Sequence, residues 1–288
     1  MPEDSVAAGA ERPKRRALSE NLRLRIVWGA ALAVIALGLT YNGTVSFAAL
    51  VLVIGLFLSW EWGRMVRGVS ADVAFLVHSL AVAIAIGLSV SGYVALGAAA
   101  LVTGAIILVP LVFGHGARLS AIGVFYVGLP AISLVWLRDD GPYGFAAVLL
   151  VFAIVWCSDI GAFAAGRLIG GPRLWPRVSP NKTWSGLIGG LAAGSGAAAA
   201  VAALLVTEAS PLRLALTGLV LGLVAQGGDL AESALKRLFG RKDTSDLIPG
   251  HGGFMDRMDS IVAVAIVAGL FALILDPRAP ARALLFGI

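Results

Sequence analysis

Nine apolar stretches divide this chain, and they constrain its fold more than any other feature. Their approximate limits are residues 24–40, 45–60, 73–89, 93–112, 120–137, 144–163, 187–206, 212–230 and 258–275. A transmembrane helix needs about 20 predominantly apolar residues, and flanking Gly and Trp extend the shorter stretches towards that length. Only 14% of the residues are charged, which excludes an ordinary soluble domain. We therefore predict an all-α, polytopic integral membrane protein with about nine transmembrane helices.

The stretches and the segments between them predict four regions. Residues 1–21 mix Pro, Glu, Lys and Arg with little apolar periodicity, which is typical of a disordered basic tail. The apolar run that follows lacks a convincing cleavage site, so we interpret it as a retained span. Residues 22–143 are predicted to form scaffold helices, in which Glu61 merely flanks a loop. Residues 144–276 are predicted to form a catalytic half with polar loops, and residues 277–288 a short tail.

Basic residues are distributed unevenly among the predicted loops. If the N-terminus is cytoplasmic, 18 of the 22 basic residues fall on the cytoplasmic side, and only Arg138, Arg213, Arg278 and Arg282 fall outside. Cytoplasmic loops of membrane proteins carry such an excess of Lys and Arg. The pattern therefore predicts a cytoplasmic N-terminus, a C-terminus on the opposite side and an odd number of spans.

The sixth and seventh spans are joined by a polar loop. Asp159 falls near the cytoplasmic end of the sixth span, where an ionisable residue costs a few kcal/mol unless it has a partner or water. Its alternative to a functional role is an ion pair with Arg167 or exposure at the helix end. The loop, residues 167–184, contains three prolines and is basic and partly apolar, which suits an anionic headgroup or simply reflects the positive-inside bias.

Polar and small residues surround the start of the seventh span. Ser179, Lys182 and Thr183 lie just before it, where free N–H groups of a helix favour phosphate. Small residues inside the span recur at spacings of three and four, which predicts close helix packing.

The densest charge lies in residues 228–260. If the first part is helical, Asp229, Ser233 and Lys236 share one face, with Glu232 adjacent. Asp256 and Asp259 share a face at the start of the ninth span. Carboxylates from two helices form a plausible Mg²⁺ site, although each Asp alone could be a helix cap or pair with Arg257. Between the helices, Gly252 and Gly253 would let backbone amides approach a phosphate.

The same stretch contains an ordered run of residues that identifies a family. The run is Ser233-Ala-Leu-Lys236-Arg237, four residues, Lys242-Asp243-Thr-Ser245, then Ile248-Pro249-Gly250-His251-Gly252-Gly253-Phe254-Met255-Asp256-Arg257-Met258-Asp259. It resembles the signature of phosphatidate cytidylyltransferases, also called CDP-diacylglycerol synthases. Ser158-Asp159 and Ser179-Pro180-Asn181-Lys182-Thr183-Trp184 also resemble that family in order and spacing. The likeness covers about residues 150–265, and one departure is Ser185, where many members carry Glu or Gln.

The resemblance implies that CTP and phosphatidate give CDP-diacylglycerol and pyrophosphate in phospholipid biosynthesis. It implies Mg²⁺ as cofactor and leaves open a second, monovalent cation such as K⁺. It implies no nucleic-acid partner. The enzyme would be a multi-pass protein of a bacterial-type inner membrane with its active site facing the cytoplasm. Membrane lipids would surround it, and its glycine-rich spans permit a homodimer.

The resemblance also implies roles for individual residues. Asp229 and Asp256 are expected to bind the metal, with Asp259 and Asp159 in support. The phosphates of CTP are expected to meet Lys236, Arg237, Lys242, Gly252 and Gly253. Ser179, Lys182 and Thr183 are expected at the phosphatidate headgroup or the same phosphates, and Ser233 and Arg257 complete the substrate site. His251 either protonates pyrophosphate or donates a hydrogen bond, and Asp243 orients Lys242 or Arg241 or, as the less favoured alternative, acts as a base.

Other classes of protein remain as alternatives at this stage. An ion or solute transporter would also bury carboxylates among spans, although here the charges gather at one face. An intramembrane aspartyl protease would place two aspartates on facing spans but would not need the basic neighbours. A CDP-alcohol phosphotransferase would show a different spacing of aspartates, which this sequence lacks.

Overall fold

The computed structural model describes residue 27 and residues 29–69, 71–112, 116–241, 243–245 and 252–288. Lys242, His251 and the predicted basic tail lie outside the described residues. The helices are α1 (Gly29–Asn42), α2 (Thr44–Val66), α3 (Val73–Val90), α4 (Val94–Leu111), α5 (Gly116–Arg138), α6 (Gly144–Leu168), α7 (Trp184–Leu205), α8 (Pro211–Leu238), α9 (Met255–Leu275) and α10 (Pro280–Phe286). A 3₁₀ turn covers Gly141–Tyr143, and strands β1 (Arg173–Trp175) and β2 (Ser179–Thr183) join α6 to α7.

The helices confirm the predicted class of an all-α, polytopic membrane protein. Within the described residues, eight helices, α2 to α9, are long and apolar enough to cross a membrane. The predicted first span, residues 24–40, begins outside the described residues, and its described part, α1, is shorter than a span. The prolines of the α6–α7 loop do exclude helix there, and the loop instead forms an antiparallel hairpin that pairs Arg173 with Thr183 and Trp175 with Ser179.

The two ends of the helical bundle differ in charge. At one end Arg138 donates from Nε to the Thr40 carbonyl at 2.7 Å, and Arg213 donates to the Ala283 carbonyl at 3.2 Å. The four basic residues predicted to be non-cytoplasmic all lie in connections or helix ends on this side. The hairpin, the C-terminus of α2 and the described residues between α8 and α9, 239–241, 243–245 and 252–254, lie at the opposite end. The charges therefore separate in space as the sequence predicts, although which end is cytoplasmic stays a prediction.

Helix α8 is longer than the membrane requires. Its 28 residues span about 42 Å at 1.5 Å per residue, whereas the hydrocarbon core is about 30 Å thick. The apolar part begins at Pro211, so the surplus turns are those that carry Asp229 to Leu238. The polar residues of α8 therefore emerge at the basic end of the bundle.

Helices α6, α7 and α8 pack closely, as the small residues of the seventh span predict. A Cβ added at Gly189 would lie 2.3 Å from the Ala165 Cβ of α6. A Cβ added at Gly218 of α8 would lie 2.6 Å from the Ala198 Cβ of α7. Close backbone approach of this kind is the main way in which membrane helices associate, because lipid offers no hydrophobic driving force. This tight three-helix group supports the polar end of the chain.

We expect Gly189→Ala to lower the free energy of unfolding by about 1–3 kcal/mol, because its methyl group must displace Ala165. Gly196→Ala is the matched control in the same helix, since nothing lies within 4 Å of its added Cβ. Thermal unfolding of the purified proteins in detergent provides the comparison. Equal transition temperatures for the two variants would contradict the close packing of α6 and α7.

Candidate active site

A buried ion-pair cluster joins α8 to α9. Lys236 places Nζ 2.7 Å from Oε2 of Glu232, one turn earlier in α8, and 2.5 Å from Oδ1 of Asp256 in the first turn of α9. The side chain of Glu232 is 1% exposed and that of Asp256 is 9% exposed. Charges so far from water are stable only when paired, so Lys236 fixes the relative position of the two helices.

Asp256 is held from its other oxygen as well. Oδ2 accepts hydrogen bonds from the backbone N–H groups of Thr244 and Gly253 at 3.0 and 2.9 Å. The Thr244 hydroxyl lies 3.0 Å from the same oxygen. Asp256 is therefore fixed in orientation by α8, by the loop before α9 and by its own helix.

Glu61 anchors the same loop from α2, on the scaffold side of the molecule. Its side chain is fully buried, and it accepts hydrogen bonds from the backbone N–H groups of Phe254 and Met255 at 2.9 and 2.6 Å. The hydroxyls of Thr244 and Ser245 also contact it. The interpretation of Glu61 as a residue that merely flanks a loop is therefore wrong: it lies inside the bundle and binds the residues that precede Asp256 at the start of α9.

A second ion pair connects the hairpin to α8. Lys182 at the end of β2 places Nζ 2.7 Å from Oδ2 of Asp229 and 3.4 Å from the Gln226 carbonyl. The Ser233 hydroxyl lies 3.4 Å from Oδ1 of Asp229, as the shared helix face predicts. The Lys236 ammonium does not join these two side chains, because it contacts Glu232 and Asp256 instead.

A cavity of about 1300 Å³ opens beside these pairs. Its polar end carries, among the described residues, four carboxylates and four basic side chains: Asp159, Asp229, Asp256, Asp259, Arg167, Arg173, Lys182 and Arg257. The rest of its wall is mostly apolar and comes from α1, α2, α5, α6, α7 and α9, with Ile54, Ala131 and Phe152 as examples. A cavity with one charged end and a long apolar part fits an amphiphile with an anionic head.

The predicted metal residues share this polar end without forming a closed cage. No group of three or more His, Cys, Asp or Glu side chains within the described residues is close enough to hold an ion unaided. Asp159, Asp229 and Asp259 nevertheless interact electrostatically with one another. Mg²⁺ commonly binds one or two carboxylates together with substrate phosphates, and these carboxylates fit that mode. Asp256 fits it less well, because both of its oxygens already accept hydrogen bonds.

Asp159 is an exposed residue of α6 that lies nine residues before the last residue of the helix. Within the described residues it forms no ion pair with Arg167, whose guanidinium lies 5.9 Å from the centre of the Phe163 ring. It faces the cavity instead, where the charges of Asp229, Lys182 and Arg257 act on it.

Several residues that are predicted to contact substrate form hydrogen bonds within the protein. The buried Thr183 hydroxyl caps α7 by accepting from the Gly186 N–H at 3.1 Å, and the Gly253 N–H donates to Asp256. Ser185, at the position of the family departure, donates to the Gly170 carbonyl and closes the turn before the hairpin. In this structure these groups form hydrogen bonds that stabilise the surroundings of the site.

The remaining predicted residues lie further from the cavity wall. Arg237 is exposed on α8 and donates to the Arg241 carbonyl at 3.3 Å, and Asp243 is exposed. Ser179 is partly buried in β2, and Gly252 has a φ of +80°, which glycine adopts without strain. Neither these residues nor Lys236 and Ser233 belong to the described wall of the cavity.

Two carboxylates of the site were absent from the predicted site residues. The sequence places Glu232 adjacent to the predicted face, and its spacing of four from Lys236 is the available signal. The signal for Glu61 is a carboxylate directly after the apolar stretch of residues 45–60, where a longer helix would bury it.

Comparisons with known proteins agree with the signature in the polar stretch. The model of the cytidylyltransferase family matches residues 23–275. The phosphatidate cytidylyltransferase of Brucella suis is 40% identical over 266 residues, which cover 90% of this chain and 97% of that protein. The phosphatidate cytidylyltransferase of Brucella melitensis has the same identity and coverage. That of Staphylococcus haemolyticus is 38% identical over 148 residues, which cover 51% of this chain and 56% of that protein.

We expect Lys236→Met to destabilise the protein by about 3–5 kcal/mol, because it leaves the buried carboxylates of Glu232 and Asp256 unpaired. The neighbouring exposed residue provides the control, and Arg237→Met should change stability by less than about 0.5 kcal/mol. Adding Glu232→Gln to Lys236→Met should restore part of the loss, since one unpaired charge is removed. Thermal unfolding in detergent measures all three, and a Lys236→Met variant as stable as Arg237→Met would refute the cluster.

Proposed function

This chain belongs to the cytidylyltransferase family, and on that premise we propose that its site joins CTP to phosphatidate, giving CDP-diacylglycerol and pyrophosphate. The observation that carries the proposal is a cavity that has charged residues at one end and an apolar wall along the rest. A nucleoside triphosphate and a lipid phosphate can meet only where a charged surface adjoins an apolar surface. The family also favours an enzyme over the transporter and protease alternatives.

The reaction needs positioning and charge neutralisation more than a strong base. A phosphate monoester has a second pKa of about 6, so the phosphatidate headgroup is largely dianionic at neutral pH. One of its oxygens attacks the α-phosphorus of CTP and forms a new P–O bond. The bond from that phosphorus to the bridging oxygen of the β-phosphate breaks, and pyrophosphate leaves with the electron pair. Holding the two phosphates in line is therefore the main task of the protein.

The basic side chains of the cavity wall are the groups that reach these phosphates. Lys182, Arg173 and Arg257 project from two separate elements, the hairpin and α9, on either side of the polar end. We assign Lys182 and Arg173 to the phosphatidate headgroup, because the hairpin lies where the chain leaves the apolar layer. Arg257 is assigned to CTP. Lys236 contributes indirectly, by holding Asp256.

Mg²⁺ is part of the proposal because the described wall of the cavity has no formal excess of positive charge. Four carboxylates face four basic side chains among the described residues, so this described wall offers no formal net positive charge to two polyanionic substrates. We propose that Asp159, Asp229 and Asp259 hold Mg²⁺ together with substrate phosphates. The ion would neutralise charge on those phosphates.

The apolar part of the cavity is proposed to receive the acyl chains of phosphatidate. Helices α2, α5 and α6 line it with Phe47, Leu134 and Trp156, among others. This arrangement leaves the lipid in its membrane environment while its headgroup reaches the charged end. We further propose that this end faces the cytoplasm of a bacterial-type inner membrane, which the excess of basic residues supports, and that glycine-rich spans allow a homodimer.

We expect the purified protein to release pyrophosphate in mixed micelles only when CTP, phosphatidate and Mg²⁺ are all present. EDTA should abolish the release and excess Mg²⁺ should restore it. Asp256→Asn should lower the rate about 100-fold or more, because it removes the charge that meets Lys236. Glu208→Gln, an exposed carboxylate at the opposite end of the bundle, is the control and should keep the wild-type rate. No release from folded wild-type protein would refute the proposed function.

A second test separates the lipid part of the cavity from the nucleotide part. Ile54→Trp narrows the apolar part of the cavity and should raise the KM for long-chain phosphatidate about tenfold while leaving the KM for CTP unchanged. Ile106→Trp introduces the same side chain on an exposed, lipid-facing position of α4 and should change neither constant. If Ile54→Trp raised only the KM for CTP, the acyl chains would have to bind elsewhere.

A further inference from the structure

We propose that Glu61, in the scaffold half of the chain, is a positioning residue that sets the orientation of Asp256 through the loop before α9. The inference rests on the proposed function for its consequence in catalysis, and on the geometry of the loop for its cause. The family signature lies wholly in the other half of the chain and includes no residue of α2.

The first step is the set of contacts that Glu61 makes. Oε1 accepts from the Phe254 N–H and the Ser245 hydroxyl, and Oε2 accepts from the Met255 N–H at 2.6 Å. Oε2 also lies 3.2 Å from the Thr244 hydroxyl. Both oxygens thus face only donors within the described residues, which suits a carboxylate and no neutral isostere. The partners lie 183 to 194 residues away in sequence, so this anchor joins the two halves of the molecule.

The second step connects the anchored loop to Asp256. Thr244 donates its backbone N–H to Oδ2 of Asp256, and its hydroxyl lies between that oxygen and Glu61, at 3.0 and 3.2 Å. A hydroxyl has one proton, so the two carboxylates share this donor. Any displacement of Thr244 therefore changes the hydrogen bonding of Asp256 and, through Oδ1, its ion pair with Lys236.

The third step is the close packing of the residues around Gly253. A Cβ at Gly253 would lie 2.0 Å from the Thr244 Oγ1 and 2.6 Å from Oε1 of Glu61. The Phe57 ring of α2 stacks on Phe254 with centroids 4.6 Å apart, which fixes the start of α9 against the same helix. The loop is thus packed against α2 by one ring and held by one carboxylate. Outer contacts of this kind commonly change metal affinity or activity 10- to 100-fold when they are removed.

Glu61→Gln is the informative change, because it keeps the side-chain volume but turns an NH₂ group towards two of the donors. We expect kcat for pyrophosphate release to fall 10- to 100-fold and the KM for CTP to rise about tenfold, while the KM for phosphatidate stays within twofold. In the protein without substrates, hydrogen–deuterium exchange of the peptide covering residues 252–258 should accelerate at least tenfold. Exchange in α6 and α7 should not change.

Ser59→Ala is the matched control on the same helix. Ser59 is fully buried, and its hydroxyl donates to the Gly55 carbonyl of its own helix at 2.8 Å. The control should leave both the kinetic constants and the local exchange at wild-type values. If Glu61→Gln does not fold, Ser245→Ala removes a single donor to Glu61 and should move the same two measurements in the same direction by a smaller factor.

The outcomes separate the inference from the proposed function. A folded Glu61→Gln variant with a wild-type KM for CTP and wild-type exchange at residues 252–258 would overturn the inference. Faster exchange throughout the bundle would also overturn it, because that result describes general destabilisation. Wild-type protein that releases no pyrophosphate would instead overturn the proposed function, and the exchange measurement would still decide whether Glu61 fixes the loop.

Discussion

The structure depends above all on how one ammonium group pairs with two carboxylates away from water. Lys236 meets Glu232 within its own helix and Asp256 across to α9, at 2.7 and 2.5 Å. An isolated charge in this position would cost several kcal/mol, so the three residues must stay together. Their pairing fixes where α9 begins relative to the end of α8. The loop between those helices, the orientation of Asp256 and the polar end of the cavity all follow from that geometry.

The extent to which the sequence predicts this site differs from residue to residue. Apolar periodicity predicts the helices because membrane spans need internal hydrogen bonding and apolar surfaces, which leave a clear signal. The small residues of the seventh span predict the approach of α7 to α6, and Gly189 makes that approach possible. Spacing of four predicts that Ser233 faces Asp229, and the structure agrees. These features are local, so one segment contains all the information that they need.

Pairings between distant segments could not be derived in the same way. Lys182 selects Asp229 because the hairpin folds back over α8, and no spacing in the sequence encodes that contact. Glu61 binds the loop before α9 only because α2 lies beside it. The sequence does contain one signal, since Glu61 directly follows an apolar stretch, and a carboxylate that a longer helix carries into the membrane needs a partner. That signal indicates that Glu61 needs a partner, but it does not indicate which residue the partner is.

The cavity explains why the two halves of the chain differ in composition. On one side, glycine and alanine bring the backbones of α6, α7 and α8 into close contact, which gives the charged residues of α8 a rigid support. On the other side, α2 and α5 present larger apolar residues across an open space that reaches the carboxylates. A lipid substrate needs such a space, whereas phosphoryl chemistry needs fixed charges. Glu61 lies where these requirements meet, because its helix lines the lipid side with Phe47 and Ile54 and its carboxylate holds the loop of the charged side. The scaffold half is thus part of the reaction site, not only its support.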